Sequence, residues 1–145
     1  MLLGQVRLFL SDDHQVVLPE AFRELFEQGV YITRGFEENL LIMSEREFQE
    51  LYQRVAGLNM ADPLARLLHR LILGNACKVA ISANGQLRFP QDLLSLAGLE
   101  IERVLVGQGE YCEAWTPAAW DKQAIVLLDT AANSARFAQL DLAFC

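Results

Sequence analysis

One pattern occurs twice in the chain, and it limits what the chain can become. Ser11, Gln15 and Pro19 return 71 residues later as Ser82, Gln86 and Pro90. Each set follows an apolar-rich run with strand character, Val6–Leu10 in one case and Lys78–Ile81 in the other. Each precedes a short helical pattern bearing leucine or phenylalanine. A sequence repeated in this way builds one hairpin-plus-helix unit twice. The second copy contains Asn84-Gly85, a strong signal for a two-residue hairpin turn because both residue types tolerate positive φ.

At 145 residues the chain has room for one domain or two small, intimate repeats. An apolar share of 52% is enough for a sizeable core and argues against disorder. No apolar run approaches the roughly 18 residues that a bilayer span requires. The opening Met-Leu-Leu-Gly-Gln-Val-Arg lacks the basic segment, apolar stretch and small-residue site of a secretory leader, so the expectation is a cytoplasmic protein. Cys77, Cys112 and Cys145 are odd in number and widely spaced, which fits free thiols better than a disulfide framework or a metal pair. The net charge of −7 weighs against non-specific affinity for nucleic acid. Between Arg54 and Arg88, however, five cations meet only one acid, Asp62. That basic waist fits either a surface facing a polyanion or an ordinary solvated helix face.

Taken in order, Gln5–Leu10 alternates like a half-buried strand, Ser11–His14 supplies turn chemistry, and Gln15–Leu18 returns as a second strand. Pro19 suits the first turn of a helix over Glu20–Phe26, which Gly29 stops. Val30–Thr33 and Leu40–Met43 form a strand pair. Ser44 and Glu47 make a capping box for a helix that turns Phe48, Leu51, Tyr52 and Val55 inward and ends near Gly57. Asp62 and Pro63 open the next helix, whose Leu64, Leu67, Leu68 and Leu71 form an apolar stripe, core by default but open in part to use by a subunit interface. In the second copy, Gln91–Leu96 repeats the short helix, closed by Gly98. Ile101–Val106 and Tyr111–Trp115 repeat the strand pair, and Thr116-Pro117 opens a helix with Trp120 in the place of Phe48. Ala124–Cys145 shows apolar runs but no clear cap, and reads equally as a helix or a loose tail. The expected architecture is two small pseudo-equivalent sheets with flanking helices, the hairpins interlocking within or between copies.

Catalytic chemistry finds little footing. His14 and His69 sit in no nucleophile motif, and His69 reads as an exposed residue. Gly107-x-Gly109 lacks the third glycine and the strand-to-helix setting of a phosphate loop. No His, Cys, Asp and Glu cluster has metal-ligand spacing. Glu37-Glu38, Glu45 and Glu47 suit a solvated turn and a helix N-terminus. The reading is a non-enzyme with no cofactor, no metal and no small-molecule substrate.

Met1-Leu2-Leu3-Gly4, Ile32-Thr33-Arg34-Gly35-Phe36-Glu37, Arg70-Leu71-Ile72-Leu73-Gly74-Asn75-Ala76 and Val104-Leu105-Val106-Gly107-Gln108, in this order and spacing, give the chain a resemblance to the MraZ family of bacterial transcriptional regulators. The match runs to about Trp120. It implies an α+β fold of two pseudo-symmetric AbrB/SpoVT-like swapped-hairpin repeats with flanking helices. The corresponding divisions are a first repeat over 1–57, a connecting helix over 58–75, a second repeat over 76–123 and a tail over 124–145. The resemblance further implies a ring-forming, nucleoid-associated protein that binds double-stranded DNA at short repeats upstream of division and cell-wall genes.

The family carries an Asp-x-x-x-Arg hairpin in each copy, with the arginine reaching DNA. Here Ser11 and Gln15 stand in the first copy, and Ser82 and Gln86 in the second. A serine–glutamine pair keeps a hydrogen bond but supplies no charge. Losing the arginines removes the side chain best suited to bidentate contact with guanine or phosphate, while glutamine still matches adenine's N6 and N7 edge. The candidate DNA-binding residues are therefore Gln15, Gln86 and Asn84, with Arg7 and Arg88 as substitute cations. Arg7 is expected across the hairpin from Gln15, and Arg88 two residues beyond Gln86. Both arginines fit ordinary solvent-facing strand positions equally well, and His14 reads as a turn residue. Two functions remain: a DNA-binding regulator with weakened affinity, or a ring-forming scaffold that has lost DNA.

Overall fold

The computed structural model describes residues 1–95 and 101–142. The expected helix end at Leu96 and Gly98, and the terminal Phe144 and Cys145, lie outside the described residues. The first half contains β1 (Gln5–Phe9), β2 (Gln15–Val17), α1 (Glu20–Leu25), β3 (Val30–Arg34), β4 (Asn39–Ser44) and α2 (Glu45–Ala56). After α3 (Pro63–Ile72) the series runs again as β5 (Cys77–Val79), β6 (Gln86–Arg88), α4 (Gln91–Ser95), β7 (Glu102–Gly107), β8 (Tyr111–Trp115) and α5 (Pro117–Leu128). Among the described residues α3, between the two series, and α6 (Thr130–Phe137), after the second, stand outside the repeat. The fold is α+β.

The two halves exchange strands. One antiparallel sheet has the order β1-β7-β8-β4-β3-β5, and a second sheet contains only β2 and β6. β1 leaves its own half to pair with β7, and β5 reciprocates by pairing with β3. At the pseudo-two-fold centre β4 runs beside β8, with Ile42 opposite Cys112. In place of two pseudo-equivalent sheets there is one large sheet and one small one, both built jointly, so the interlocking expected within or between copies runs between them. The physical reason lies in length: β5 and β6 are three residues each, too short to bury a face alone. Sharing lets Val16, Leu18, Phe22 and Phe26 from one half and Leu87, Phe89 and Leu93 from the other enter one core cluster. Each such fully buried side chain contributes on the order of 1.5–3 kcal/mol.

The helices follow their caps. Ser44 Oγ accepts the Glu47 N–H, Asp62 the Leu64 N–H, and Thr116 Oγ1 the Ala119 N–H. Asp129 does the same for α6 through the Ala132 N–H, so the C-terminal stretch has a cap that hydrophobic pattern alone overlooked. Phe48 stacks on Tyr31 at 4.2 Å, whereas its counterpart Trp120 meets Trp115 edge-on at 5.5 Å. Tyr52, expected inside, is exposed.

α3 also departs from expectation. It meets the body through Ala65 and Ile72, leaving Leu64 at 70% and Leu67 at 59% exposure. The buried arc is turned from the leucine stripe by roughly 100°, one residue's rotation on a helix. The cause is an anchor at its C-terminal end, where the buried Thr33 hydroxyl donates to the Ile72 carbonyl. His69 is drawn along, half-buried rather than exposed, with its Nε2 buried and without a hydrogen-bond partner among the described residues. Near the pseudo-dyad, Glu113 Oε2 accepts from Asn39 Nδ2 (3.0 Å) and its Oε1 from Trp115 Nε1 (3.3 Å). Burial pushes this carboxyl above the ordinary glutamate range, helped by the charge of Glu37 and opposed by those hydrogen bonds.

Candidate nucleic-acid interface

The repeated serine, glutamine and proline residues frame the β2–β6 ribbon. In the first tip the Ser11 carbonyl accepts the His14 N–H (2.9 Å), and the Ser11 N–H donates to the Gln15 carbonyl (2.8 Å). The second tip repeats both bonds, Gly85 to Ser82 at 2.9 Å and Ser82 to Gln86 at 3.0 Å. Positive φ falls on His14 (59°) and Gly85 (76°). This is a three-residue loop ending in a left-handed residue, not the two-residue turn expected at Asn84-Gly85. Asn84 stays out of the left-handed region and sits exposed at the tip.

Serine acts on the backbone. Ser11 Oγ accepts the Gln15 N–H at 3.2 Å and Ser82 Oγ the Gln86 N–H at 3.0 Å. An acceptor at this position closes the loop whether it is a hydroxyl or a carboxylate. The glutamine carboxamides are left over, and among the described residues neither is hydrogen-bonded.

Strand register then decides which candidates meet. Gln15 lies opposite Arg88, Val16 opposite Leu87, and Val17 opposite Gln86. Bonds from the Phe89 N–H to the His14 carbonyl and from the Leu18 N–H to the Gly85 carbonyl bracket the ribbon. By the alternation of an antiparallel ladder, Gln15/Arg88 and Val17/Gln86 are the non-hydrogen-bonded pairs, whose Cα atoms stand only about 4.5 Å apart. Val16 and Leu87 are buried beneath. The outward face carries Gln15, Val17, Gln86 and Arg88 together.

Arg7 is not part of it. It pairs with Val104 and is held by Glu102 at 2.9 Å, with Asp121 at 3.9 Å. The expectation that it faces Gln15 fails because β1 is taken up by β7 rather than lying along β2. Nor does the basic waist converge. Arg66 donates to the Met60 and Ala61 carbonyls, Lys78 reaches Glu45 at 3.6 Å, and Arg54 and Arg70 stand on α2 and α3, which leaves Arg88 as the waist's contribution to the ribbon face. Acids flank that face. Asp12 and Asp13 line a cleft of about 460 Å³ next to Arg88, and Glu20, Glu24 and Glu27 line another of about 770 Å³ below the second tip.

Sequence reading missed Val17. The repeat of 71 residues aligns it with Arg88, and its period-two spacing from Gln15 puts it on the same face, so the signal was present. At 52% exposure it is an apolar residue set among amides and a cation.

The chain is a duplicated α+β body whose halves trade strands and which presents one face of a two-stranded ribbon outward. No family model matches the chain. Curated relatives do. It is 33% identical to a transcriptional regulator MraZ of Thermomicrobium roseum over 127 residues, 88% of this chain and 89% of that one. It is 30% identical to the Roseiflexus castenholzii regulator over 96% of this chain and 95% of the other. The regulator of Nitrosomonas eutropha shares 33% over 90% and 88% respectively. The chain belongs to the MraZ family of transcriptional regulators.

Proposed function

We propose that this chain is a DNA-binding transcriptional regulator that docks the outward face of the β2–β6 ribbon on double-stranded DNA. The observation that supports it is the register that sets Gln15, Gln86 and Arg88 side by side with exposed Asn84 at the rim. Its relatives carry the name of transcriptional regulators and not of enzymes. In this reading Gln15 and Gln86 stand where the family holds arginine, so affinity is weakened, and the flanking acids weaken it further. The targets are short repeats upstream of division and cell-wall genes, met in the cytoplasm and on the nucleoid. The chain divides into repeats at 1–57 and 76–123, a connector at 58–75 and a tail at 124–145. Several copies close into a ring, for which the exposed Leu64 and Leu67 supply apolar contact, and binding is an avidity sum over ribbons.

The rival reading is a ring scaffold that has left DNA, favoured by the charge of −7 and by amides in place of arginines. Titrating labelled duplex from the protein's own upstream region over a salt series separates the two. A specific complex that weakens steeply with salt supports the regulator. An intact oligomer by light scattering with no complex at low salt supports the scaffold.

A further inference from the structure

The ribbon face is not symmetric, and its asymmetry bears on which bases it reads. Gln15 and Gln86 are equivalent under the pseudo-two-fold, but Val17 is equivalent to Arg88. One end of the face therefore pairs an amide with a cation, and the other end pairs an amide with a branched apolar side chain. Resting on the reading above, we infer that the Val17–Gln86 end is a specificity-determining subsite for an A·T step in the major groove, with Val17 against the thymine methyl.

The major groove admits a two-stranded ribbon, and thymine differs from cytosine there by its C5-methyl as well as by its acceptor. Gln86, exposed and not hydrogen-bonded among the described residues, matches the adenine N6 and N7 edge. Val17 stands across the strand from it in the pairing that brings side chains closest. Nothing in the fold consumes Val17, since the core is filled by Val16 and Leu87 on the opposite face. Arg88, beside Gln15, makes no ion pair among the described residues and takes guanine or phosphate at the other end. A pair of arginines would read guanine at both ends. This face reads the two ends differently.

The test begins with selection of duplexes from a randomised pool by the intact protein, followed by replacement of single thymines with uracil, which removes only the methyl. The expected result is an enriched A·T step at which uracil weakens binding about four-fold, the worth of one buried methyl group. Val17→Ser should bind the thymine and uracil duplexes equally, with its circular dichroism and unfolding midpoint unchanged. If every uracil duplex binds the native protein as well as its thymine parent, or if selection returns guanine runs at both ends, the Val17 inference is overturned while DNA binding stands. If no duplex is bound at low salt, the underlying DNA reading falls with it.

Discussion

His14 and Gly85 occupy the same place in the two hairpin tips, at φ 59° and 76°, and each carbonyl accepts an N–H from the opposite half, Phe89 for His14 (3.0 Å) and Leu18 for Gly85 (2.9 Å). The tips are therefore ties between the repeats as well as loops. A left-handed backbone costs a non-glycine residue about 1–2 kcal/mol, and only the second copy avoids it. His14→Gly should leave stability unchanged or raise it by up to about 1 kcal/mol, glycine's greater freedom in the unfolded chain offsetting part of the relief. Gly85→Ala should lose about 1–3 kcal/mol, because its Cβ would also collide with the Arg23 guanidinium. Urea unfolding midpoints at constant slope give both values, and equal effects at the two sites would refute the asymmetry.

The serine brace makes a second expectation. Ser11→Ala and Ser82→Ala each remove the acceptor of a glutamine N–H, at a cost of about 0.5–1.5 kcal/mol. Ser11→Asp and Ser82→Asp should hold the loop, since a carboxylate accepts the same amide. Alanine variants as stable as the parent would show that the hydroxyls do not brace the tips.

Thr33 ties α3 to the sheet. Thr33→Val keeps the shape but strips the Ile72 carbonyl of its donor in a fully buried setting, costing about 1–3 kcal/mol. Hydrogen exchange should rise first along Pro63–Ile72. A uniform change across the chain would contradict a local anchor.

Glu113 gives stability a pH dependence with a definite sign. Its carboxyl is raised in the folded state, chiefly by burial, so the folded chain holds that proton more tightly than the unfolded one. Stability contributed by this group is present at low pH and falls as pH rises from the ordinary glutamate range through the raised value. Glu113→Gln cannot ionise and should lose that slope. Unfolding midpoints across the interval, measured for both proteins, should diverge and then level. A constant offset would assign the dependence to other groups.

The sequence made the repeat legible because both copies keep the serine, glutamine and proline at fixed spacing, and because Ser44, Asp62 and Thr116 announce their helices. It left open whether the hairpins interlock within a copy or between copies, and which strands pair. Alternation marks Gln5–Phe9 as a strand, but β7 and β2 offer it similar apolar partners, and only the three-dimensional closure selects β7. That single choice removed Arg7 from the face. The leucine stripe of α3 misled for a similar reason: a helix has more than one apolar arc, and the Thr33 anchor chose Ala65 and Ile72. Register, which brings Gln15 to Arg88 and Val17 to Gln86, depends on pairing between segments some 70 residues apart and leaves no local mark.

Whether the glutamines face DNA is decided by the salt dependence of binding after Gln15→Arg and Gln86→Arg are made together. If the ribbon lies against the duplex, two added cations per engaged chain should tighten binding at low salt. The plot of log K against log salt should then steepen by about 1.8 for each engaged chain, each neutralised phosphate adding roughly 0.9. An unchanged affinity and slope would show that the β2–β6 face points away from DNA.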